Sequence, residues 1–322
     1  MASRPRSGRL LRTLLAALVA ASVAVPVSGA ARPAAVPAPA PVALAPLRAA
    51  GPGALAERYA VNRAGIRAAA RMADGHGDRA RARALRRMAG PARQFLSFDG
   101  RGGGRTAEVF GDLARAERIA VLVPGSDTNL DTYARFQAGA TALRRTLDDR
   151  SAVVAWLGYE TPGTVSPEVV TPGRAASAAP QLRSFLGEMA ALRPSARISV
   201  LCHSYGSVVC GRAAPGLTVA NLVLYGSPGA GVDSASALHT RATVWAGRGA
   251  DDWIAEVPHG QLDLPFTTLG LGADPVSDAF GARVFAAGTG GHSDYLAPGS
   301  VALRNIARIV SGRAPSEERR DA

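Results

Sequence analysis

Three observations in the sequence predict an α/β fold, a mostly parallel eight-stranded sheet flanked by helices with a helical extension on its N-terminal side. From Phe95 onward, short runs of Val, Ile, Leu and Ala alternate with helix-spaced segments, the pattern of strands joined by helical crossovers. One strand-like run leads through a serine turn into a helix, "RISVLCHSYGSVV", a context that belongs at the carboxyl edge of such a sheet. With 322 residues and 47% hydrophobic content, the chain can bury one large core.

In chain order, residues 1–30 predict an export signal. Arg4, Arg6, Arg9 and Arg12 precede the apolar run "LLAALVAASVAVPV", and Ser28, Gly29 and Ala30 supply the small residues of a cleavage site, placed after Ala30. The run is shorter than the roughly 20 apolar residues of a membrane span, so no stable span is expected once the signal is cut. Residues 31–50 are a Pro/Ala linker, whose prolines remove amide donors and fix an extended backbone. Residues 51–94 carry Leu55, Tyr59, Ile66, Leu85 and Met88 at helical spacing, broken by "DGHGD", which predicts two helices joined by a turn.

Residues 95–311 form the expected main domain, followed by a polar tail at 312–322. Its strands are "FLSF", "TAEVF", "RIAVLV", "AVVAWL", "RISVLC", "NLVLYG", "RATVWAG" and "RVFAAG". Helices are expected at Thr132–Leu147, Ala178–Leu192, Ser207–Ala214 and Val301–Ser311. Gly102, Gly103 and Gly104 lie between two strands with no helix after them, which fits a hairpin turn and not a phosphate cradle.

The formal charge of +12, carried by 37 Arg and no Lys against 25 acids, is unevenly spread. Residues 51–95 hold ten Arg against three acids, whereas residues 96–311 hold 18 Arg against 19 acids. The main domain is therefore neutral, which argues against nucleic acid as its partner; the basic residues before it suit either an anionic surface or, as the favoured alternative, a solvated helix face.

The chemistry-bearing residues lie in the neutral part. Ser204 follows a strand and precedes a helix whose positive end points at the turn, so it is the candidate nucleophile. A serine hydroxyl needs a base and a group that orients the base. His292, in the glycine loop "GTGGHSDY" after the last strand, is the candidate base; His76, His203, His239 and His259 lack that placement. The acid is expected after "RATVWAG", where Asp252 is favoured, Asp251 is its rival and Asp233 a weaker third. Amides of Tyr205 and of Ser126, in the turn "PGSD", are the expected oxyanion donors. Tyr159, Trp156 and Trp253 are candidate pocket walls, and the proline-bearing segment "GYETPGTVSPEVVTPGRAAS" is a candidate pocket edge or lid.

Cys202 stands where the nucleophile motif has its first glycine, and the only other cysteine is Cys210. Cys202 lies about 7 Å below Ser204 along a strand, and Cys210 about 8–9 Å below it along the returning helix. Their equal depth permits a disulfide, with two buried thiols as the alternative. Two cysteines alone make no metal site.

In this order "VLVPG", "WLGY", "CHSYGS", "LYGSPGAGV", "DDWI" and "GHSDYL" resemble secreted bacterial α/β-hydrolases catalogued as a domain of unknown function. The resemblance covers roughly residues 95–311, and Cys202 is its departure. It implies the α/β-hydrolase fold and a Ser204, Asp252, His292 triad. It implies little about substrate; the residues themselves lead to the expectation of hydrolysis of a small-molecule or lipid-like ester, or an amide, through an acyl-enzyme without metal or organic cofactor. A non-catalytic envelope or ligand-binding protein that keeps the fold is the rival class.

Overall fold

The computed structural model describes residues 36–47, 50–264 and 267–316. The expected export signal and residues 317–322 of the tail lie outside the described residues.

Residues 36–47 form neither helix nor strand, as their prolines require. They are not free of the fold, because Ala38 and Leu47 pack against core side chains. Two helices follow, α1 (Pro52–Gly75) and α2 (Arg79–Met88). Pro52 starts α1 where a missing N–H costs nothing, and the Asp78 side chain caps α2 by accepting from the Arg81 amide.

The sheet has the order β1-β2-β4-β3-β5-β6-β7-β10. Strands β1 (Gln94–Asp99), β2 (Arg105–Phe110) and β4 (Ser151–Leu157) pair antiparallel. From β4 onward the pairing is parallel, through β3 (Arg118–Val123), β5 (Arg197–His203), β6 (Asn221–Tyr225), β7 (Thr243–Gly247) and β10 (Arg283–Val284). The glycine run 102–104 turns β1 into β2, with Gly102 and Gly104 at positive φ.

Central strands β3, β4, β5 and β6 are buried almost throughout, so their runs are apolar and not alternating. On one face α4 (Gly173–Leu192) and α5 (Gly206–Ala213) pack into a core with Val121, Val154 and Val200. On the other, α3 (Tyr133–Thr146) and α6 (Val301–Val310) cover Leu122, Val153 and Leu201. Ile66, Leu85 and Met88 of the extension close over Phe95, Phe98 and Leu157.

Two charged contacts fasten the extension. Arg81, 4% exposed, grips the carboxylate of Asp131 with two nitrogens at 2.6 and 2.9 Å. Arg93 pairs with Glu108, which is buried in β2.

Two features differ from expectation. The run "RVFAAG" pairs as a strand only at Arg283–Val284; the Phe285 amide still donates to Ala246 O at 3.0 Å, with its ring against Gly247, and the pairing ends there. An unexpected hairpin, β8 (Gly260–Leu264) with β9 (Thr267–Gly272), stands apart from the main sheet.

Candidate active site

Strand β3 has β4 on one side and β5 on the other, so the chain order reverses there. A crevice opens at the carboxyl ends of strands where such a reversal occurs. Pro124, Gly125 and Ser126 leave β3 at that point, and Ser204 leaves β5.

Ser204 has φ +52°, a left-handed conformation that a non-glycine residue adopts at a cost of order 1–3 kcal/mol. Its amide donates to Tyr225 O at 3.1 Å, and helix α5 begins two residues later. Gly206 is required here, because a Cβ would come within 2.6 Å of Pro124 O and 2.8 Å of Val123 O. Gly125 is equally constrained, since its Cβ would sit 2.6 Å from Ser204 Cβ.

Strand and helix stay close below the turn. Cys202 and Cys210 are joined by a disulfide, with Cα atoms 6.4 Å apart and both residues fully buried. The missing glycine of the motif is thus a cross-link between β5 and α5.

The serine meets the histidine and the acid that were singled out with it. His292 Nε2 lies 2.9 Å from Ser204 Oγ, and His292 Nδ1 lies 2.9 Å from Asp252 Oδ1 and 3.1 Å from Oδ2. Asp252 also caps the short turn Trp253–Glu256, accepting from the Ile254 amide at 2.9 Å. Burial pushes its carboxyl up, but donors from His292, Tyr295 and Ile254 outweigh that and hold it below the usual carboxylate range. With Asp252 ionised, the His292 proton sits on Nδ1 and Nε2 accepts from the serine hydroxyl.

The rivals are elsewhere. Asp251 and Asp233 are exposed to solvent. His76 and His239 are exposed too, and His259 lies 3.9 Å from Asp274. His203 does not point away from the site. Its Nε2–H donates to His292 O at 2.8 Å, and its ring packs 4.8 Å from that of His292. Burial and the neighbouring imidazole push its pKa down to about 4, so it is a neutral donor.

Ser126, Ser204 and Tyr205 all line one cavity of about 790 Å³. Among the described residues neither the Ser126 nor the Tyr205 amide is used in a backbone hydrogen bond. The remaining lining is mainly apolar and includes Phe136, Val169, Trp253, Leu271 and Leu296. Thr164, Val169 and Val170 bring the proline-bearing segment to this cavity as an edge.

Of the three expected aromatic walls, only Trp253 lines the cavity, its ring 4.7 Å from His292. Trp156 and Tyr159 are core residues stacked on each other. Tyr159 nevertheless serves the site, because its hydroxyl donates to Pro124 O at 2.6 Å and so holds the turn that carries Ser126.

A family model described as alpha/beta hydrolase matches residues 99–262. The chain belongs to the alpha/beta hydrolase family. Over 256 residues the hydrolase is 30% identical to an uncharacterized protein of Mycobacterium tuberculosis, a match covering 67% of this chain and 38% of that protein. An uncharacterized protein of Mycobacterium bovis is 32% identical over 143 residues, 40% of this chain and 53% of its own. The hydrolase therefore spans about two-fifths to one-half of the curated relatives it matches. Among solved structures it is similar to a serine hydrolase without lid from Xanthomonas campestris, with TM-score 0.44, 17% identity and coverage of 69% of this chain and 95% of that one. An esterase from Mycobacterium marinum gives TM-score 0.40 and 15% identity, covering 76% of this chain and 88% of its own.

One residue of the hydrolase's site escaped the sequence reading. Tyr295 donates its hydroxyl to Asp252 Oδ2 at 2.5 Å and accepts from the Gly249 amide at 3.0 Å. Burial and the hydrogen bond to Asp252 push this phenol up, so it stays protonated. Its only signal was its place three residues after His292 in "GHSDYL".

Tyr295→Phe removes a donor from an ionised carboxylate, so the Asp252 pKa should rise, and the more basic carboxylate should hold the protonated His292 more tightly, moving the acid limb of kcat/KM to higher pH. The linked stability has a definite sign. A depressed carboxyl stabilises the fold above its unfolded pKa of about 3.9 and loses that contribution as pH falls through its folded value. The variant should thus be less stable than the parent at neutral pH, with the gap closing below about pH 4. Superimposable pH–rate profiles would remove Tyr295 from the site.

Proposed function

We propose that this alpha/beta hydrolase is an exported serine esterase that cleaves esters of apolar acyl groups through Ser204, His292 and Asp252. The carrying observation is the continuous chain of contacts from Ser204 Oγ through His292 to Asp252, at 2.9 Å in each step. Export is supported by the basic, then apolar, then small-residue order of residues 1–30.

Ser204 Oγ attacks the ester carbonyl carbon while its proton passes to His292 Nε2. The carbonyl electron pair moves onto oxygen, which the Ser126 and Tyr205 amides stabilise. Collapse of this intermediate expels the alcohol, which takes the proton from His292, and leaves an acyl-Ser204 ester. Water then gives a proton to His292 as its oxygen bonds to the acyl carbon, and Ser204 recovers that proton as the acid departs.

The apolar walls suit an acyl chain, whose burial contributes about 0.8 kcal/mol per CH₂. A fluorophosphonate probe should label the parent protein and fail to label Ser204→Ala. In an ester series, kcat/KM should rise with acyl length until the cavity is filled. An adduct that survives Ser204→Ala would sink the serine assignment, and a preference for acetate over longer chains would sink the acyl-group assignment.

A further inference from the structure

Among the described residues, excess positive charge is concentrated on one folded element. Residues 51–95 hold ten Arg against three acids, and the neutral hydrolase part begins where they end. On the α1–α2 hairpin, Arg67, Arg71, Arg79, Arg83 and Arg87 are all exposed. Among the described residues none of the five has a carboxylate partner, and the hairpin's Asp74 is taken by Arg86 at 2.7 Å.

Their spacing places them in rows. Arg67 and Arg71 are four apart on α1, and Arg79, Arg83 and Arg87 are four apart on α2. Like charges at that spacing repel and destabilise a helix. Arg79 also stands at the positive end of α2, whose first turn contains no acid, opposite to what the helix dipole favours. Helix stability therefore accounts only for Arg87, which stands in the last turn of α2 where the dipole favours a cation.

The rows sit on a fixed platform. The inner sides of α1 and α2 are packed on Phe95 and Phe98. Arg81, between Arg79 and Arg83, is locked onto Asp131, beside Thr132 on the rim of the active-site cavity. We propose that the solvent face of this hairpin docks the enzyme on an anionic phospholipid bilayer.

Guanidinium groups bind phosphate oxygens in pairs, and a bilayer offers a dense layer of phosphates without demanding further readout. Apart from its arginines and the exposed His76, the hairpin offers no side chain for reading bases. Its one Asn, Asn62, is buried on the carbonyls of Arg58 and Phe95, and its one aromatic, Tyr59, is buried in the core. Docking would hold the nearby cavity at the surface into which an apolar ester partitions. The inference goes beyond the esterase reading and does not depend on it.

The test uses the chain from Ala31 onward, the proposed exported form, carrying Ser204→Ala, which cannot turn over lipid, in cosedimentation with two kinds of vesicle. Mixed phosphatidylglycerol–phosphatidylcholine vesicles should bind it more tightly than pure phosphatidylcholine, and the difference should fall steeply as salt rises from about 0.05 to 0.2 M. Replacing Arg67, Arg71, Arg79, Arg83 and Arg87 with Gln should weaken that difference about a hundredfold or more. Glutamine keeps helix propensity, and an unchanged thermal melt checks that the hairpin still folds. A small helix-preserving subset, Arg83→Gln with Arg87→Gln, should give an intermediate loss. The proposal is overturned by equal binding to both vesicle types, by full retention in the five-site variant, or by tighter binding to duplex DNA at the same salt.

Discussion

Asp252→Asn is expected to lower kcat for ester hydrolysis by about 10⁴ while leaving KM and the fold nearly unchanged. Asp252 Oδ1 and Oδ2 both face His292 Nδ1, at 2.9 and 3.1 Å. A carboxylate there keeps the proton on Nδ1, so Nε2 has a lone pair for the Ser204 hydroxyl. An amide that turns its NH₂ toward His292 forces the other tautomer, with Nε2 protonated and unable to act as base. Tyr295 favours that outcome, because its hydroxyl donates to Oδ2 and is best met by the amide oxygen, whereas the Ile254 amide donates to Oδ1 and favours the opposite flip. Asp251→Asn is the control. That residue is exposed and has no side-chain contact with His292 among the described hydrogen bonds, so its replacement should change kcat less than about twofold, as for a surface change. Pre-steady-state acylation measured on both variants separates them, and equal losses would reopen the choice of acid.

The sequence carried those parts of the site that depend on chain order. A nucleophile between strand and helix, an acid after β7 and a base after the last strand are set by topology, and topology follows from the alternation of apolar runs. What depends on side-chain direction was hidden. Trp156 and Tyr159 come at the carboxyl end of β4 or just after it, as pocket residues do, yet both turn into the core, and only Trp253 turns into the cavity. His203 precedes the nucleophile and was expected to face away, but its ring packs on that of His292 and its Nε2 meets His292 O. Tyr295 reaches Asp252 across 43 residues of sequence, a contact that no local pattern encodes. The β8–β9 hairpin was missed because "GQLDL" and "TTLGLG" mix glycine and polar residues, which lack the apolar run of a central strand.

Removing the cross-link between β5 and α5 should give the largest change in stability. Cys202 and Cys210 are eight residues apart, and closing so short a loop in the unfolded chain is worth roughly 2–3 kcal/mol by the chain-entropy relation. For a domain of this size that corresponds to a fall in Tm of about 5–10 °C. The double variant Cys202→Ala, Cys210→Ala adds the loss of two buried sulfurs, so the cleaner comparison is the parent protein with and without reductant. Reduction keeps both sulfurs in place and removes only the cross-link. Because both residues are fully buried, thiol reagents should act at the rate of local opening and not on contact. Ser204 should be displaced little. Its amide is held by Tyr225 O at 3.1 Å, and Ser207 Oγ donates to Cys202 O at 3.2 Å. Turnover at 25 °C should therefore fall less than about tenfold, while the melting point moves by several degrees. A melting point indifferent to reductant, in protein whose thiols have been shown to be free after treatment, would mean that packing of β5 on α5 alone sets the elbow. A turnover loss as large as that of Asp252→Asn would mean instead that the cross-link positions the nucleophile.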